Sequence, residues 1–254
     1  MNETFSTSDE NIQKLTDISI NYSKTISNII EEIKKNIVGQ DDVIKKIIIS
    51  IISDGHVLLE SVPGLAKTLM IKTMADIFSV NNVRIQFTPD LLPADILGTK
   101  IYKNNSETFE IQKGPIFHNF VLADEINRAP PKVQSALLES MQEKQVSIHG
   151  ETFQLEKPFL VLATQNPIEH EGTYKLPEAQ IDRFALKILI GYPTKEEEIE
   201  IIERNTSNLK IKVNPIIKSK EIIEIQKFNE KIYADKIILK YVASLIDATR
   251  NPKK

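Results

Sequence analysis

Residues 58–70 read LLESVPGLAKTLM, an apolar run leading into eight residues that look like a phosphate-binding loop with its glycines displaced. The pattern for such loops is GxxxxGK(S/T), and the eight positions hold Ser61, Val62, Pro63, Gly64, Leu65, Ala66, Lys67 and Thr68. Both signature glycines are replaced, by Ser61 and Ala66. Such a loop works because successive backbone N–H groups and a helix N-terminus converge on an anion, while Lys and Ser/Thr add a charge and a metal ligand. Most of that machinery is backbone, so the question is which positions need glycine. Pro63-Gly64 suits a tight turn with positive φ at its second position. Ala66 adds one methyl at a helix start, and the Ser61 hydroxyl at the strand exit can bond the loop backbone. Together the two replacements cost about 1 kcal/mol, the scale of a local glycine effect, against several charge-assisted bonds to phosphate. Taken alone, the stretch also fits an ordinary strand-to-helix turn that ends in Lys-Thr.

Outward from the loop, HVLLE precedes it as a short strand and KTLMIKTMADIFSV follows as a helix. The same kind of apolar run recurs in VRIQFT, FVLADE, PFLVLATQN and ALKILIG. Continuous apolar strands are buried on both faces, which predicts an α/β fold: a mainly parallel sheet with helices on both faces. Two segments interrupt the alternation and read as hairpin insertions. Residues 99–114 turn around Asn104, Asn105 and Ser106, and residues 144–158 around His149 and Gly150. Upstream, Ile26, Ile29, Ile30 and Ile33 recur at helical spacing, followed by NIVGQDD and an amphipathic segment over 43–52. Asp41 and Asp42 stand where a helix N-terminus favours negative charge. The first dozen residues are rich in Ser, Thr, Asn and acid and read as a disordered tail. After Pro193 the sequence is helical only, and it stops at NPKK. The expected organisation is a polar tail over 1–25, a nucleotide-binding core over 26–191 and a small, incomplete all-α lid over 192–254.

Composition narrows the function. A chain of 254 residues with 41% hydrophobic and 26% charged residues can bury a full core. A net charge of -3 and a pI of about 5.9 give no global pull toward nucleic acid or acidic membranes. No dense Lys/Arg run interleaves with aromatics, so neither a nucleic-acid partner nor a DNA-acting motor is expected. The absence of cysteine excludes disulfides, thiolate nucleophiles and Cys-ligated zinc. His56, His118, His149 and His170 show no ligand spacing. The polar N-terminus does not read as a secretory signal, and no apolar run reaches the roughly 18 residues of a membrane span. A cytoplasmic protein without membrane insertion is expected.

Further chemistry stands at strand ends. FVLADEINRAPPKVQ ends an apolar run in Asp124 and Glu125, and nucleotide hydrolysis needs one carboxylate near Mg²⁺ and another to polarise water. LATQNP offers the amides of Gln165 and Asn166, which can bond a γ-phosphate or serve a turn. Arg183 lies in LPEAQIDRFALKI, before the last strand.

These pieces in this order resemble the AAA+ ATPases, and specifically the MoxR family. The matching residues are IVGQ from Ile37, ESVPGLAKTL from Glu60, FTPDLLPADILG from Phe87, FVLADEINRAPPKVQSALLESMQE from Phe120, FLVLATQNPIEHEGTYKLPEAQIDRF from Phe159 and YVASLIDATR from Tyr241. They span nearly the whole chain after the first residues. The resemblance implies that ATP and Mg²⁺ bind, with the loop from Ser61 to Leu69 as the nucleotide site. Lys67 would contact the β- and γ-phosphates, and Thr68 and Asp124 would hold Mg²⁺. Glu125 would polarise the attacking water and Asn166 would sense the γ-phosphate. Arg183 would act as an arginine finger on a neighbour's ATP, which implies a homo-oligomeric ring, expected to be a hexamer. Arg128 would be an inter-subunit contact, and Ile37, Val38 and Gly39 would lie against adenine. The hairpins would stand near the pore face, and proteins with von Willebrand factor A domains would be partners. The implied activity is ATP hydrolysis coupled to chaperone-like remodelling or activation of partner proteins. Ser61 departs from the family, whose first loop residue is Gly, whereas Ala66 is the family's usual residue. The sequence also stops before the lid's second sensor arginine, so the alternative is a nucleotide-binding module with weak or no hydrolysis.

Overall fold

The computed structural model describes residues 9–62, 64–104, 107–166, 173–206 and 211–252. Pro63, Asn105, Ser106 and His170 fall outside those residues. The chain opens with α1 (Asp9–Asn36), α2 (Asp41–Ile52), β1 (Val57–Glu60), α3 (Lys67–Ile77) and β2 (Asn82–Gln86). The short α4 (Pro93–Leu97) leads into the first hairpin, β3 (Gly98–Lys103) with β4 (Thr108–Lys113). Then come β5 (Phe120–Asp124), α5 (Pro131–Glu143) and the second hairpin, β6 (Gln145–Ile148) with β7 (Glu151–Gln154). Next are β8 (Leu160–Gln165), α6 (Glu178–Ile181), β9 (Leu186–Leu189), α7 (Lys195–Thr206), α8 (Ser219–Asn229) and α9 (Lys236–Arg250).

The five apolar runs are the five strands of one parallel sheet, in the order β2-β5-β8-β1-β9. Side chains alternate across a strand, so each run feeds two cores. Val57, Leu59, Phe120, Leu122, Leu160 and Leu162 pack with α1, α2, α3 and α8 on one face. Leu58, Val121, Ala123, Val161 and Ala163 pack on the other with Ile96 of α4 and Val133, Leu137 and Met141 of α5. Burial on both faces is why the interior strands carry no polar alternation. β2, at the sheet edge, is only partly buried and does carry it. Parallel pairing brings the carboxyl ends of β1, β5 and β8 together, where open α/β sheets build their sites.

Two sequence expectations differ from the structure. The disorder expected over the first dozen residues is not met from residue 9 onward: α1 is already helical at Asp9 and runs for 28 residues. Leu15, Ile18, Tyr22 and Ile26 extend the helical spacing of Ile29 and Ile33 upstream, and Tyr22 packs edge-on against Phe228 of α8 at 5.2 Å. Thr25 and Ser27, poor helix formers, donate their hydroxyls to the carbonyls of Asn21 and Ser23 four residues back. Second, the C-terminal helices do not share one environment. Ile222 and Ile225 of α8 join the core around α2, and Gln226 Nε2 donates to the Ile51 carbonyl at 2.7 Å. Every residue of α9, by contrast, is exposed.

Candidate active site

The loop leaves β1 with Ser61, whose N–H donates to the Gln165 carbonyl of β8 at 3.1 Å and extends the ladder one residue past the strand. Ser61 is buried, and its hydroxyl accepts from Lys67 Nζ at 2.8 Å. Lys67 also donates to the Val62 carbonyl at 3.1 Å. The serine in place of glycine is thus a partner of the loop lysine. Gly64 has φ +89°, with nothing within 4 Å of where a Cβ would stand, so the left-handed backbone alone calls for glycine. Ala66 is the N-cap of α3 with φ 50°. Its cost is therefore conformational, about 1 kcal/mol, rather than a matter of the added methyl.

α3 begins at Lys67, so its first amide groups open toward the opposite wall. Gly64, Leu65, Ala66, Lys67 and Thr68 face Arg84, Gln86, Asp124 and Glu125 across a cleft of about 360 Å³. Burial holds the Lys67 ammonium below its ordinary range, and the charges of Asp124 and Glu125 offset this only in part.

The opposite wall is a hydrogen-bonded network. Asp124, buried at the end of β5, accepts from Thr164 Oγ1 on Oδ1 at 2.6 Å. Its Oδ2 accepts from Arg84 Nε at 3.0 Å and Nη2 at 2.6 Å. Arg84 Nη2 also donates to Gln86 Oε1 at 2.6 Å, and Gln86 Nε2 donates to Glu125 Oε2 at 3.0 Å. Arg128 Nη1 reaches the same Glu125 oxygen at 2.9 Å. Glu125 adopts a left-handed backbone, φ 57° and ψ 50°, with its N–H donated to Thr164 Oγ1 at 2.8 Å. Such strain in a non-glycine residue persists where the surroundings fix it.

The structure brings Gly64, Leu65, Ala66, Lys67, Thr68, Asp124 and Glu125 into one cleft. Other predicted residues stand elsewhere. Gln165 Nε2 donates to Glu60 Oε2 at 3.1 Å, and Lys187 Nζ meets the same oxygen at 2.5 Å, so Glu60 is held below the usual carboxylate range by Lys187 first. Asn166 follows β8 directly and is half-buried. Arg183 is exposed beyond α6, does not line the cleft and donates to the Leu138 carbonyl at 3.2 Å. Leu69 lines a second hollow of about 640 Å³ with Asn36, Lys72, Thr73, Asp76 and Val213. Ile37 is buried in the core, Val38 is half-buried and Gly39 lies against the Glu197 side chain of α7. Three functional residues were missed: Arg84 and Gln86 of the cleft wall, and Thr164, which is buried and bonds Asp124. The alternation Arg84-Ile85-Gln86 in an otherwise apolar run was the available signal for two of them.

The donor set fits a metal-bound polyphosphate. A helix N-terminus, an ammonium and the Thr68 hydroxyl face a carboxylate whose Oδ2 already accepts a cation from the chain itself. Among the described residues no three His, Asp or Glu side chains converge to hold a metal unaided. A hard cation here would complete its shell from phosphate oxygens and water, as Mg²⁺ does.

A parallel sheet with a phosphate-type loop after β1 and paired acids after β5 defines a P-loop fold of the AAA+ class. The model of the ATPase family associated with various cellular activities (AAA) matches residues 56–186. Chaperone MoxR1 of Mycobacterium tuberculosis is 50% identical over 91% of this chain and 61% of its own length. The uncharacterized protein YeaC of Bacillus subtilis is 45% identical over 87% of this chain and 69% of its own. A crystal structure of a candidate ATPase from Cytophaga hutchinsonii superposes with a TM-score of 0.85 at 48% identity, covering 94% of this chain and 73% of that one. The chain belongs to the MoxR family of AAA+ ATPases.

Proposed function

We propose that this chain binds ATP with Mg²⁺ in the cleft and hydrolyses it, and that it does so in a ring that remodels or activates partner proteins. The observation carrying the reading is the juxtaposition of Lys67 and Thr68 at the start of α3 with Asp124 and Glu125 across one cleft. The α3 amides and Lys67 bind the β- and γ-phosphates, once Lys67 leaves Ser61 and Val62. Thr68 and Asp124 would hold Mg²⁺, which when bound would offset the charge of the phosphates. Glu125 has Oε2 engaged by Gln86 and Arg128, so its other oxygen is the one that polarises the attacking water. Asn166, at the end of β8, senses the γ-phosphate. The base and ribose extend toward Val38, Gly39 and Leu69, and the second hollow beside Asn36 supports that direction. Ile37 backs this region from the core rather than touching the base.

Arg183 stands outside its own chain's cleft, which suits a finger offered to a neighbour's ATP in a homo-oligomeric, hexameric ring. The same reading takes residues 26–191 as the nucleotide-binding core and 192–254 as the lid. It places the protein in the cytoplasm, with proteins bearing von Willebrand factor A domains as partners. No helix among the described residues is long and apolar enough to cross a membrane.

Turnover and fluorescent-nucleotide binding in wild type, Lys67→Ala and Glu125→Gln test the assignment. Lys67→Ala should weaken binding at least about tenfold. Glu125→Gln should bind normally and lose about a hundredfold or more in turnover. Unchanged turnover in both variants would overturn the reading, and binding without turnover in wild type would leave the nucleotide-binding module.

A further inference from the structure

Arg84 and Gln86 lie two residues apart on β2, and Ile85 between them is buried in the core. Strand alternation therefore puts both polar side chains on the same face of β2, and they line the cleft. Both of Arg84's contacts to Asp124 fall on Oδ2, while Oδ1 accepts one bond, from Thr164. A carboxylate oxygen accepts two such bonds, so Oδ2 has nothing left for Mg²⁺ or a water of its shell while Arg84 stays. The two partners are unequally placed: the Asp124 side chain is 10% exposed and that of Arg84 is 48% exposed. The acid is fixed by its strand, and the arginine is the partner with room to move.

We propose that Arg84 is a positioning residue that stands in for the metal. It holds Asp124 in place before nucleotide binds, then yields Oδ2 when Mg²⁺ arrives with the nucleotide. Gln86, its other acceptor, keeps the guanidinium at the cleft wall. The proposal rests on the cleft being the Mg²⁺–nucleotide site. A buried carboxylate stripped of its partner is costly, so Arg84 also keeps the cleft folded between turnovers. Because Mg²⁺ competes with a guanidinium for Oδ2, metal entry there depends on the phosphate oxygens that come with it.

The test is a Mg²⁺ titration at fixed N-methylanthraniloyl-ADP, reading the half-saturating Mg²⁺ for nucleotide binding. Arg84→Gln removes the competitor and should lower that midpoint about tenfold. Arg84→Lys keeps the charge but loses the two-bond grip, and should lower it by less. Circular dichroism identifies which variants are folded, and either one decides the matter: an unchanged or raised midpoint in a folded variant overturns the proposal. If wild type binds no labelled ADP at any Mg²⁺ concentration, the nucleotide-site reading falls and this inference with it.

Discussion

Ser61 occupies the position where the loop pattern asks for glycine, and its hydroxyl serves the loop by accepting from Lys67. Ser61→Gly should therefore shift ATP affinity by less than about tenfold, roughly 1.4 kcal/mol, measured by calorimetry. A larger gain would show that the hydroxyl holds the lysine away from phosphate. A second residue, His56, gives a pH signature away from the cleft. It is buried between β1 and β8, with Nδ1 accepting from the Val161 N–H at 3.1 Å, so Nε2 carries the proton and faces the Met141 carbonyl at 3.2 Å. Burial pushes its pKa down to about 4. The unfolded chain binds this proton near pH 6.5 and the folded chain does not, so stability falls as pH drops from about 6.5 toward 4. Between pH 7 and 5 this group alone should remove about 2 kcal/mol from urea-unfolding stability. His56→Asn, less stable throughout, should show a pH difference smaller by that amount, and an unchanged difference would remove His56 as its source. Lys67, Thr68, Asp124 and Glu125 were legible because each pair is adjacent in sequence and follows an apolar run. Arg84 and Thr164 were not, because each meets Asp124 across 40 residues. That meeting exists only once β2, β5 and β8 lie side by side.

At the scale of elements, the sheet was legible and α1 was not, for related reasons. An interior parallel strand must be apolar throughout, so five runs announced five strands. The upstream part of α1 needs only one thin stripe of apolar residues, which its Ser, Thr and Asn content concealed. The hairpins were visible from their turns, but not what ties them together: Lys113 of the first stands 4.8 Å from the Phe117 ring and 5.3 Å from that of Phe153 in the second. The root of the first hairpin is equally constrained. Gly98 has φ +104°, and a Cβ there would meet the Gln112 carbonyl oxygen at 2.2 Å and the Gly114 nitrogen at 2.6 Å. Gly98→Ala should cost about 2 kcal/mol or more, seen as a lowered midpoint in urea unfolding. Because the hairpin root lies outside the cleft, nucleotide affinity of the folded variant should change little.

At the scale of the whole molecule, the arrangement makes a claim about neighbours. Lys67, Asp124 and Glu125 share one cleft, whereas Arg183 is exposed beyond α6 and touches the Leu138 carbonyl instead. If Arg183 completes the cleft of an adjacent subunit, Arg183→Ala should lose about a thousandfold in turnover, the scale of a missing arginine finger. It should retain nucleotide binding, since its own cleft is intact. Lys67→Ala should fail for the opposite reason: it keeps Arg183 but holds nucleotide at least about tenfold more weakly. Mixing the two inactive variants then separates cis from trans action. In a randomly mixed ring, half the subunits have an intact loop and half of those face a neighbour with Arg183, so about a quarter of wild-type turnover should return. A finger acting within its own chain predicts a mixture as inactive as its parts. Mass photometry on the same mixture supplies the other arm: recovered turnover must coincide with assembled species, and recovery in monomers would rule out the ring as its cause.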